Sequence, residues 1–412
     1  MRSYDVVIVG GGMVGASLAL ALAPTRLSVL LVESVAPDSL AQPSFDERTT
    51  ALGNASRRVF EALAVWPRIA PLTADIREIH VSDAGRFGFA RLSAREQGVE
   101  AFGYVVANRV LGTALWDGLR ARSGGLDSSG GLDVRVPARL IEVEPRAERV
   151  RLSIASQTGS EQVTAALVVA ADGARSLVRE AAAIDAQVKE YGQSAIVANV
   201  EADRRHAHTA YERFTPSGPL AVLPLHDGSY TVVWARPPQD AEETLGLCDA
   251  AFLDLLQSRF GWRAGRFVRV GRRASYPLSL TRASAPVGPR TVLIGNAAQA
   301  LHPVAGQGFN LGLRDAAMLA EVLAGSDGDP GTAEVLARFA AQRTADRRGV
   351  IGFTDGLVRL FADPRLPVGW ARNLGLLLFD LTPPAKSALA RVSTGFGGRT
   401  PRLARGVPLE GS

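Results

Sequence analysis

Short apolar runs separated by a helical pattern open the chain. The run DVVIV at 5–9 is rich in β-branched residues and too short for a helix, which favours a buried parallel strand. A helical pattern from about Met13 to Ala23 follows, and then a second apolar run, SVLLV at 28–32. These three elements predict a βαβ unit of about thirty residues.

Further along, apolar and polar positions alternate, which predicts antiparallel strands. Residues 76–95 alternate across a turn and indicate a hairpin. The segment NRVLGTALWDGLRAR has helical periodicity, and its leucines recur on one face. Strand-like segments return over 130–170 and 190–275, after which TVLIGNAAQ restores the buried-strand pattern and helical patterns fill the rest.

These patterns predict an α/β fold in which a Rossmann-type nucleotide-binding domain is interrupted by a β-rich substrate domain and followed by a helical C-terminal region. The chain has 412 residues, which is more than one hydrophobic core normally organises. The predicted boundaries are 1–75, 100–185 and 276–345 for the nucleotide domain, 76–99 and 186–275 for the β-rich domain, and 346–412 for the helical region.

Composition and charge exclude several classes of protein. Hydrophobic residues make up 47% and charged residues 21%, as in ordinary globular proteins. The net charge of +5 comes from scattered arginines without a basic run, so we expect no nucleic-acid partner. No leader-like or membrane-spanning run is visible, which favours a cytoplasmic protein and leaves peripheral attachment at the inner membrane face open.

Cysteine and histidine usage bears on metal and redox chemistry. Cys248 is the only cysteine, which excludes an intrachain disulfide and multi-cysteine metal sites. It lies in a helical pattern, where we expect a buried structural thiol. His206 and His208 lack the carboxylate spacing of a metal site, so no metal is expected.

The segment from Gly10 to Gly15 carries the first candidate site. Gly10, Gly12 and Gly15 have the GxGxxG spacing between a predicted strand and a predicted helix. There the first glycine permits the turn, the second lets a pyrophosphate approach the backbone, and the third lets helix and strand pack closely. Glu33 ends the second strand, where a carboxylate can accept hydrogen bonds from a ribose. The motif predicts a dinucleotide but does not separate FAD from NAD.

Two later segments also place polar groups after apolar strands. Asp172-Gly173 follows LVVAA, where a simple turn is the alternative interpretation. Asn296 follows TVLIG, where a short polar side chain can bond a ribityl hydroxyl or a phosphate. The next loop enters a helix, and its N–H groups can point at the electron-rich edge of a flavin. Its candidate residues are Pro303, Gly306, Gln307, Gly308 and Asn310.

In this order and spacing the three motifs resemble the flavin monooxygenases of the para-hydroxybenzoate hydroxylase type, and among them the ubiquinone-biosynthesis hydroxylases. The resemblance covers nearly the whole chain and includes FDERTTALG at 45–53, GYVVANRVLGTALW at 103–116 and GQGFNLGLRD at 306–315. Most relatives have Gly-Asp-Ala-Ala-His where this chain has GNAAQ at 295–299. That departure, with ARNLGLLLFDLTPPAK near the C-terminus, is similar to the 2-polyprenyl-6-methoxyphenol hydroxylase branch. No role that needs a carboxylate at position 296 carries over.

The resemblance implies that the nucleotide domain binds FAD. Arg48 would lie beside its phosphates or the nicotinamide path and Arg109 beside its ribityl or phosphate groups, although surface salt bridges are the alternative for both arginines. Asp172 would lie near cofactor and incoming dinucleotide, and the loop before the late helix would line the isoalloxazine. The implied cofactor-binding positions are Gly10, Gly12, Gly15, Glu33, Arg48, Arg109, Asp172, Gly173, Asn296, Pro303, Gly306, Gln307, Gly308, Phe309 and Asn310.

The activity implied is hydroxylation of a polyprenylated phenol with NAD(P)H and dioxygen, which gives a 1,4-benzoquinol in the closest branch. The group that receives the phenol proton and the oligomeric state are left open. The partners expected are the phenol and, for its apolar tail, a lipid surface or other ubiquinone-biosynthesis proteins. Alternatives are a sister ring hydroxylase of the pathway, a flavin reductase or dehydrogenase acting on an isoprenoid, and a flavoprotein that serves as an assembly subunit.

Overall fold

The computed structural model describes residues 1–39, 42, 46, 48–123, 131–157, 159–301, 306–362, 365–395 and 399–409. The strands are β1 (Arg2–Val9), β2 (Ser28–Val32), β3 (Thr49–Gly53), β4 (Ala74–Ile76), β5 (Glu78–Asp83), β6 (Phe89–Ser93), β7 (Gly103–Ala107), β8 (Gly131–Arg135), β9 (Ala138–Pro145), β10 (Val150–Ser156), β11 (Gly159–Ala170), β12 (Ala186–Ala202), β13 (Thr209–Thr215), β14 (Gly218–Pro224), β15 (Tyr230–Arg236), β16 (Phe267–Ala283), β17 (Val287–Gly288), β18 (Thr291–Leu293) and β19 (Gln299–Ala300). The helices are α1 (Met13–Leu22), α2 (Asn54–Ala62), α3 (Trp66–Ile69), α4 (Asn108–Arg122), α5 (Leu177–Ala181), α6 (Pro238–Gly246), α7 (Asp249–Phe260), α8 (Gln307–Ala324), α9 (Ala333–Ala362), α10 (Leu366–Asp380) and α11 (Pro383–Ser393).

The first sheet has eight strands, and its centre is parallel. Strands β18, β11, β1, β2 and β8 lie side by side in that order, with β17 antiparallel at one edge. Val6 and Ile8 of β1 pack under α1, α4 and α8, while Val7 packs against the layer formed by β9 and β10. Because both faces are covered, the strand is apolar at successive positions.

The second sheet has eight strands in the order β19-β16-β12-β15-β14-β13-β5-β6. Its outer face carries Ile196, Val222 and Trp234, which pack with the side chains of α7. The alternate residues form its inner face, since successive side chains of a strand point to opposite sides. A small sheet, β3-β7-β4, lies against the inner face, where Ala51 of β3 packs in one cluster with Ala210.

The C-terminal helices cover the inner face and the free edge of the second sheet. Phe361, near the end of α9, stacks on Phe214 of β13. Helix α10 lies along the edge strand β6, where the Asp380 carboxylate accepts the Arg91 N–H at 2.8 Å. The Asn373 amide oxygen accepts the Gly88 N–H at 2.7 Å just before β6 begins. The helix therefore satisfies N–H groups that an open edge would leave for another strand.

The α/β fold class predicted from the sequence is confirmed. Helix α1 and strand β2 occupy nearly the predicted residues, and β5 and β6 form the predicted antiparallel hairpin. Strand β16 and helix α9 run through predicted domain boundaries at 275/276 and 345/346, and those boundaries remain predictions.

The expectation of a buried thiol at Cys248 is wrong. The residue is exposed and caps the N-terminus of α7, because the helical pattern around it is divided between α6 and α7.

Candidate active site

A cleft of about 550 Å³ lies at the carboxyl ends of the parallel strands of the first sheet. Asn296 follows β18 and Asp172 follows β11. Gly10 and Gly12 follow β1, and Glu33 follows β2. Since neighbouring strands lie about 4.8 Å apart, the row from Glu33 to Asn296 spans about 14 Å. Open α/β sheets bind nucleotides in such a crevice.

The turn after β1 requires its glycines for two reasons. Gly10 has φ of +103°, and a Cβ there would collide with the backbone of Ala171. A Cβ on Gly15 would collide with the Gly10 carbonyl oxygen, so this glycine allows α1 to pack on the turn. Gly12 caps the N-terminus of α1 and lines the cleft. Helix α1 has no acidic residue in its first turn, so its positive end is available to an anion.

Glu33 is held by the backbone at the far end of the cleft. Its carboxylate accepts the Gly11 N–H at 2.5 Å and the Val35 N–H at 2.8 Å, and the residue is 7% exposed. Glu33 Oε2 has a further lone pair, and Oε1 accepts the Ser34 hydroxyl at 3.3 Å, a long bond that a ligand hydroxyl can replace. The geometry suits the vicinal hydroxyls of a ribose.

Asp172 places a buried acceptor in the middle of the cleft. Its Oδ1 has no hydrogen-bond partner among the described residues, and its Oδ2 accepts the Val178 N–H at 3.4 Å. Burial raises the pKa of this carboxyl, against the effect of its hydrogen bonds. A buried acceptor without a donor is costly, so the site favours a ligand hydroxyl at this point. Gly173, with φ of +87°, also lines the cleft.

Asn296 is exposed at the cleft in a short 3₁₀ turn and is held there by a buried ionic network. Gln299, three residues later, donates a hydrogen bond to Asp315 Oδ2 at 2.7 Å. The fully buried Asp315 pairs with Arg343 at 2.7 Å and Arg347 at 2.9 Å. Burial opposes the charge, but the two guanidinium groups hold the pKa of Asp315 below its usual range. The network ties α8 and α9 to the segment that carries Asn296.

The N-terminus of α8 closes the other end of the cleft. Gly306 caps the helix with φ of +60°, a conformation that favours glycine. Gly308 and Phe309 line the cleft, whereas Gln307 is buried beside them. A Cβ on Gly308 would meet only the Leu301 Cβ, at 3.9 Å. Packing within the protein therefore does not require this glycine, which leaves space on the cleft side. Pro303 lies outside the described residues.

Asn310 fastens the loop and does not line the cleft. Its amide nitrogen donates to the carbonyl oxygens of Gly306 and Ala51, each at 2.8 Å. Its amide oxygen accepts the Gly53 N–H at 2.9 Å and the Ser56 hydroxyl at 2.6 Å. With these four bonds the side chain joins α8 to β3.

Arg48 and Arg109 lie near each other but do not line the cleft. The Arg48 side chain pairs with Asp46 at 2.5 Å, and the Asp46 carbonyl oxygen accepts the Arg109 N–H at 3.2 Å. The Arg48 guanidinium lies 4.7 Å from the ring centre of Tyr276 on the second sheet. Arg109 is exposed on the first turn of α4. The pair lies where the small sheet meets the second sheet.

These features fit FAD. Glu33 would hold the adenosine ribose, and the first turn of α1 would hold the diphosphate. Asp172 and Asn296 offer polar groups to the part of FAD that lies between the adenosine and the isoalloxazine. The first turn of α8, with the open space at Gly308, would take the isoalloxazine. In the described part of the chain no group of three or more His, Cys, Asp or Glu side chains could hold a metal ion.

Several residues of the site escape sequence reasoning. Arg139 and Leu140 line the cleft from β9, and the Trp116 indole N–H donates to the Gly11 carbonyl oxygen at 3.1 Å. These residues reach the cleft only through the pairing of β9 with β10 and the packing of α4 on α1, and no short motif marks either. The arginines of the ionic network lie on α9 and are equally unmarked.

Comparison with known proteins agrees with this geometry. Residues 3–354 match the family model of the FAD binding domain. The chain is 38% identical to the ubiquinone hydroxylase UbiL of Rhodospirillum rubrum, over 98% of this chain and 93% of that protein. It is 32% identical to the 3-demethoxyubiquinol 3-hydroxylase of Escherichia coli, over 95% and 98% of the two chains.

Among solved structures, the p-nitrophenol 4-monooxygenase PnpA of Pseudomonas putida has the same fold. The TM-score is 0.77 at 19% identity, over 97% of this chain and 100% of PnpA. The family resemblance predicted from the motifs is confirmed by these matches. The chain belongs to the FAD-binding-domain family of FAD-dependent monooxygenases, and within it to the hydroxylases of ubiquinone biosynthesis.

Proposed function

We propose that the protein hydroxylates a polyprenylated phenol with dioxygen and NADH or NADPH. The proposed substrate is a 2-polyprenyl-6-methoxyphenol and the product its 1,4-benzoquinol. The observation that carries the proposal is the closeness of the cofactor cleft to the inner face of the second sheet. A Cβ on Gly306 would lie 3.3 Å from the Ala51 Cβ, and Ala51 packs in one cluster with Ala210 and Leu223 of that face. An aromatic ring bound against this face would lie next to the first turn of α8.

FAD, when bound, would pass electrons from NAD(P)H to dioxygen, and one atom of that dioxygen would enter the ring. The residues of the chain would stabilise charge, orient the substrate and exclude water. The free N–H groups at the start of α8 would stabilise negative charge at the edge of the cofactor. The inner face would orient the ring and exclude water, and ring orientation decides which carbon is hydroxylated.

We further propose that helix α10 brings the enzyme to an anionic lipid surface, from which the substrate enters. Trp370, Leu374, Leu378 and Leu381 recur on one face of the helix and are between 54% and 77% exposed. Phe87, at 50% exposure, contacts Trp370 with ring centres 5.7 Å apart and extends the same apolar surface. Residues 359–391 include five basic and two acidic residues. An apolar helix face with net positive charge suits an interfacial helix.

No helix in the described part of the chain is long and apolar enough to cross a bilayer. Vesicle sedimentation tests the interfacial role. Trp370→Ala should reduce binding of the FAD-loaded protein to phosphatidylglycerol vesicles several-fold, whereas Trp262→Ala should not, since Trp262 is equally exposed (65%) but lies beside α7. Equal binding by both variants would contradict the role of α10. Binding to another pathway protein in place of vesicles would assign the helix to a protein partner.

The reaction is tested first in the host. Deletion of the gene should make a polyprenyl-methoxyphenol accumulate while ubiquinone falls, as measured by mass spectrometry. Accumulation of an unmodified polyprenylphenol or of a later methylated quinol would place the enzyme at a sister step. Unchanged quinones would overturn the pathway assignment.

The purified protein separates hydroxylation from the alternative chemistries. With ¹⁸O-labelled dioxygen, NADPH and a farnesylated methoxyphenol, the product should carry one labelled oxygen atom. Oxidation of an isoprenoid without label would indicate a reductase or dehydrogenase. An assembly subunit would show no substrate-dependent NAD(P)H oxidation, and loss of FAD in a Gly12 variant would leave its function intact.

A further inference from the structure

One carboxyl group interrupts an apolar row on the inner face of the second sheet. Glu212 of β13 stands opposite Ala221 of β14 on one side and Val81 of β5 on the other. The row continues through Val233 of β15 and Val197 of β12. Its other members are alanine or valine, whose side chains are short and only half-buried. Glu212 is the member of this row with a polar side chain.

The surroundings of Glu212 are those of a binding residue rather than of a structural ion pair. The side chain is partly accessible and has no hydrogen bond or ion pair among the described residues. Burial raises its pKa to about 7. A protein that used this residue only for folding would gain from an apolar side chain here, since a half-buried carboxyl without a partner is costly.

Other charged groups reach the same side of the sheet but are engaged elsewhere. Asp83 accepts a hydrogen bond from Asn373, and Asp355 on α9 pairs with Lys189. Arg48 pairs with Asp46 above Tyr276. None of them shifts the pKa of Glu212, because burial alone accounts for its raised value.

We infer that the Glu212 carboxylate contacts the phenol hydroxyl of the substrate and accepts its proton, a role that rests on the proposed function. Its neighbours on β13 place it correctly for this. Ala210, two residues before it on the same face, belongs to the cluster that contains Ala51, which lies beside the first turn of α8. A ring held against the row would therefore have Glu212 on one side and the flavin end of the cleft on another.

The proton transfer breaks the phenol O–H bond and forms the O–H bond of the Glu212 carboxylic acid. The electron pair stays on the phenol oxygen, and the resulting phenolate is richer in electrons at its ortho and para carbons. When the ring is hydroxylated, the substituted carbon loses its C–H proton to water, which restores the phenolate, and the carboxylic acid then returns its proton to the phenolate oxygen of the product. No proton is gained or lost by Glu212 over the cycle.

The test compares Glu212→Gln with Glu201→Gln in the FAD-loaded protein. Glu201 is a matched control because it lies on the same sheet but has a half-exposed side chain that is paired with Arg269. For the wild type and the control, kcat/KM for a farnesylated methoxyphenol should rise with pH through about 7. Glu212→Gln should lose this rise and be about a hundredfold slower at pH 8, the usual contribution of a general base.

Two further readouts do not depend on turnover. The wild type should bind the free phenol more tightly than its O-methyl ether by calorimetry at pH 8, and Glu212→Gln should lose that preference. The folded state holds the Glu212 proton more tightly than the unfolded chain does, so ionisation lowers the free energy of unfolding between about pH 4.5 and 7. Glu212→Gln should therefore raise Tm at pH 8 but not at pH 4.

The outcomes separate this inference from the proposed function. If the wild type hydroxylates the probe and Glu212→Gln keeps its pH profile and its preference for the free phenol, the role of Glu212 is overturned while the function stands. If the wild type neither binds nor hydroxylates any prenylated phenol, the proposed function fails and the role of Glu212 fails with it.

Discussion

The cofactor cleft and the inner face of the second sheet differ in how sequence specifies them. The cleft is lined mainly by backbone and short side chains at the ends of parallel strands, so its residues come in short consecutive segments such as 32–35 and 171–173. The apolar row of the inner face takes one residue from each of five strands between 81 and 233. A local motif can describe the first arrangement but not the second.

This difference explains what the sequence could predict. The βαβ unit, the position of Glu33 after β2 and the glycine turn depend on neighbours in the chain, and the structure has them at the expected places. Glu212 depends on strand register, which no window of sequence contains. Asn310 was expected beside the flavin because it follows the glycine loop, yet tertiary hydrogen bonds to β3 use its whole side chain.

The largest expected effect is on the free energy of unfolding and comes from the buried ionic network around Asp315. Asp315→Ala would leave Arg343 and Arg347 buried without their shared carboxylate and should cost about 3–5 kcal/mol of unfolding free energy. Asp329→Ala is the control, since its pair with Arg290 is partly exposed and should contribute less than about 1 kcal/mol. Urea denaturation measures both. Similar losses would mean that the buried network does not support the cleft.

The cleft itself should respond to a single added side chain. Gly308→Val would fill the open space at the first turn of α8 and should weaken FAD binding about a hundredfold, or about 2.7 kcal/mol. Gly349→Val, on the exposed side of α9, introduces the same side chain in a helix without touching the cleft. Flavin fluorescence gives the affinities. Unchanged FAD binding in Gly308→Val would remove the isoalloxazine from this end of the cleft.

On the inner face of the second sheet, an added side chain should lower turnover of the substrate and leave FAD binding unchanged. Ala221→Leu would occupy part of the proposed ring site and should lower kcat/KM for the farnesylated phenol about tenfold, with FAD affinity and stability unchanged. Val222→Leu, one residue further and on the outer face, overpacks the core under α7 and should cost about 1–3 kcal/mol of stability with little effect on KM. If both variants behaved alike, the two faces of β14 would not have separate roles.

The smallest effect distinguishes the two faces by pH. His80 is buried on the outer face of β5, stacked on Phe89, and burial together with Arg263, Arg91 and Arg213 lowers its pKa to about 4. The folded state binds this proton less tightly than the unfolded chain, so the free energy of unfolding falls as pH drops from about 6.5 towards 4.

Glu212 has the opposite sign, because its protonation stabilises the folded state over much of the same range. His80→Gln should therefore remove about 1 kcal/mol of the stability lost between pH 7 and pH 5.5, whereas the exposed His226→Gln should leave that loss unchanged. Combining His80→Gln with Glu212→Gln should flatten the remaining pH dependence further, and Tm measured at half-unit intervals resolves the two contributions. If neither His80→Gln nor Glu212→Gln changed the pH profile on its own, neither face of the sheet would hold a titrating group, and the assignment of ring binding to the inner face would lose its support from Glu212.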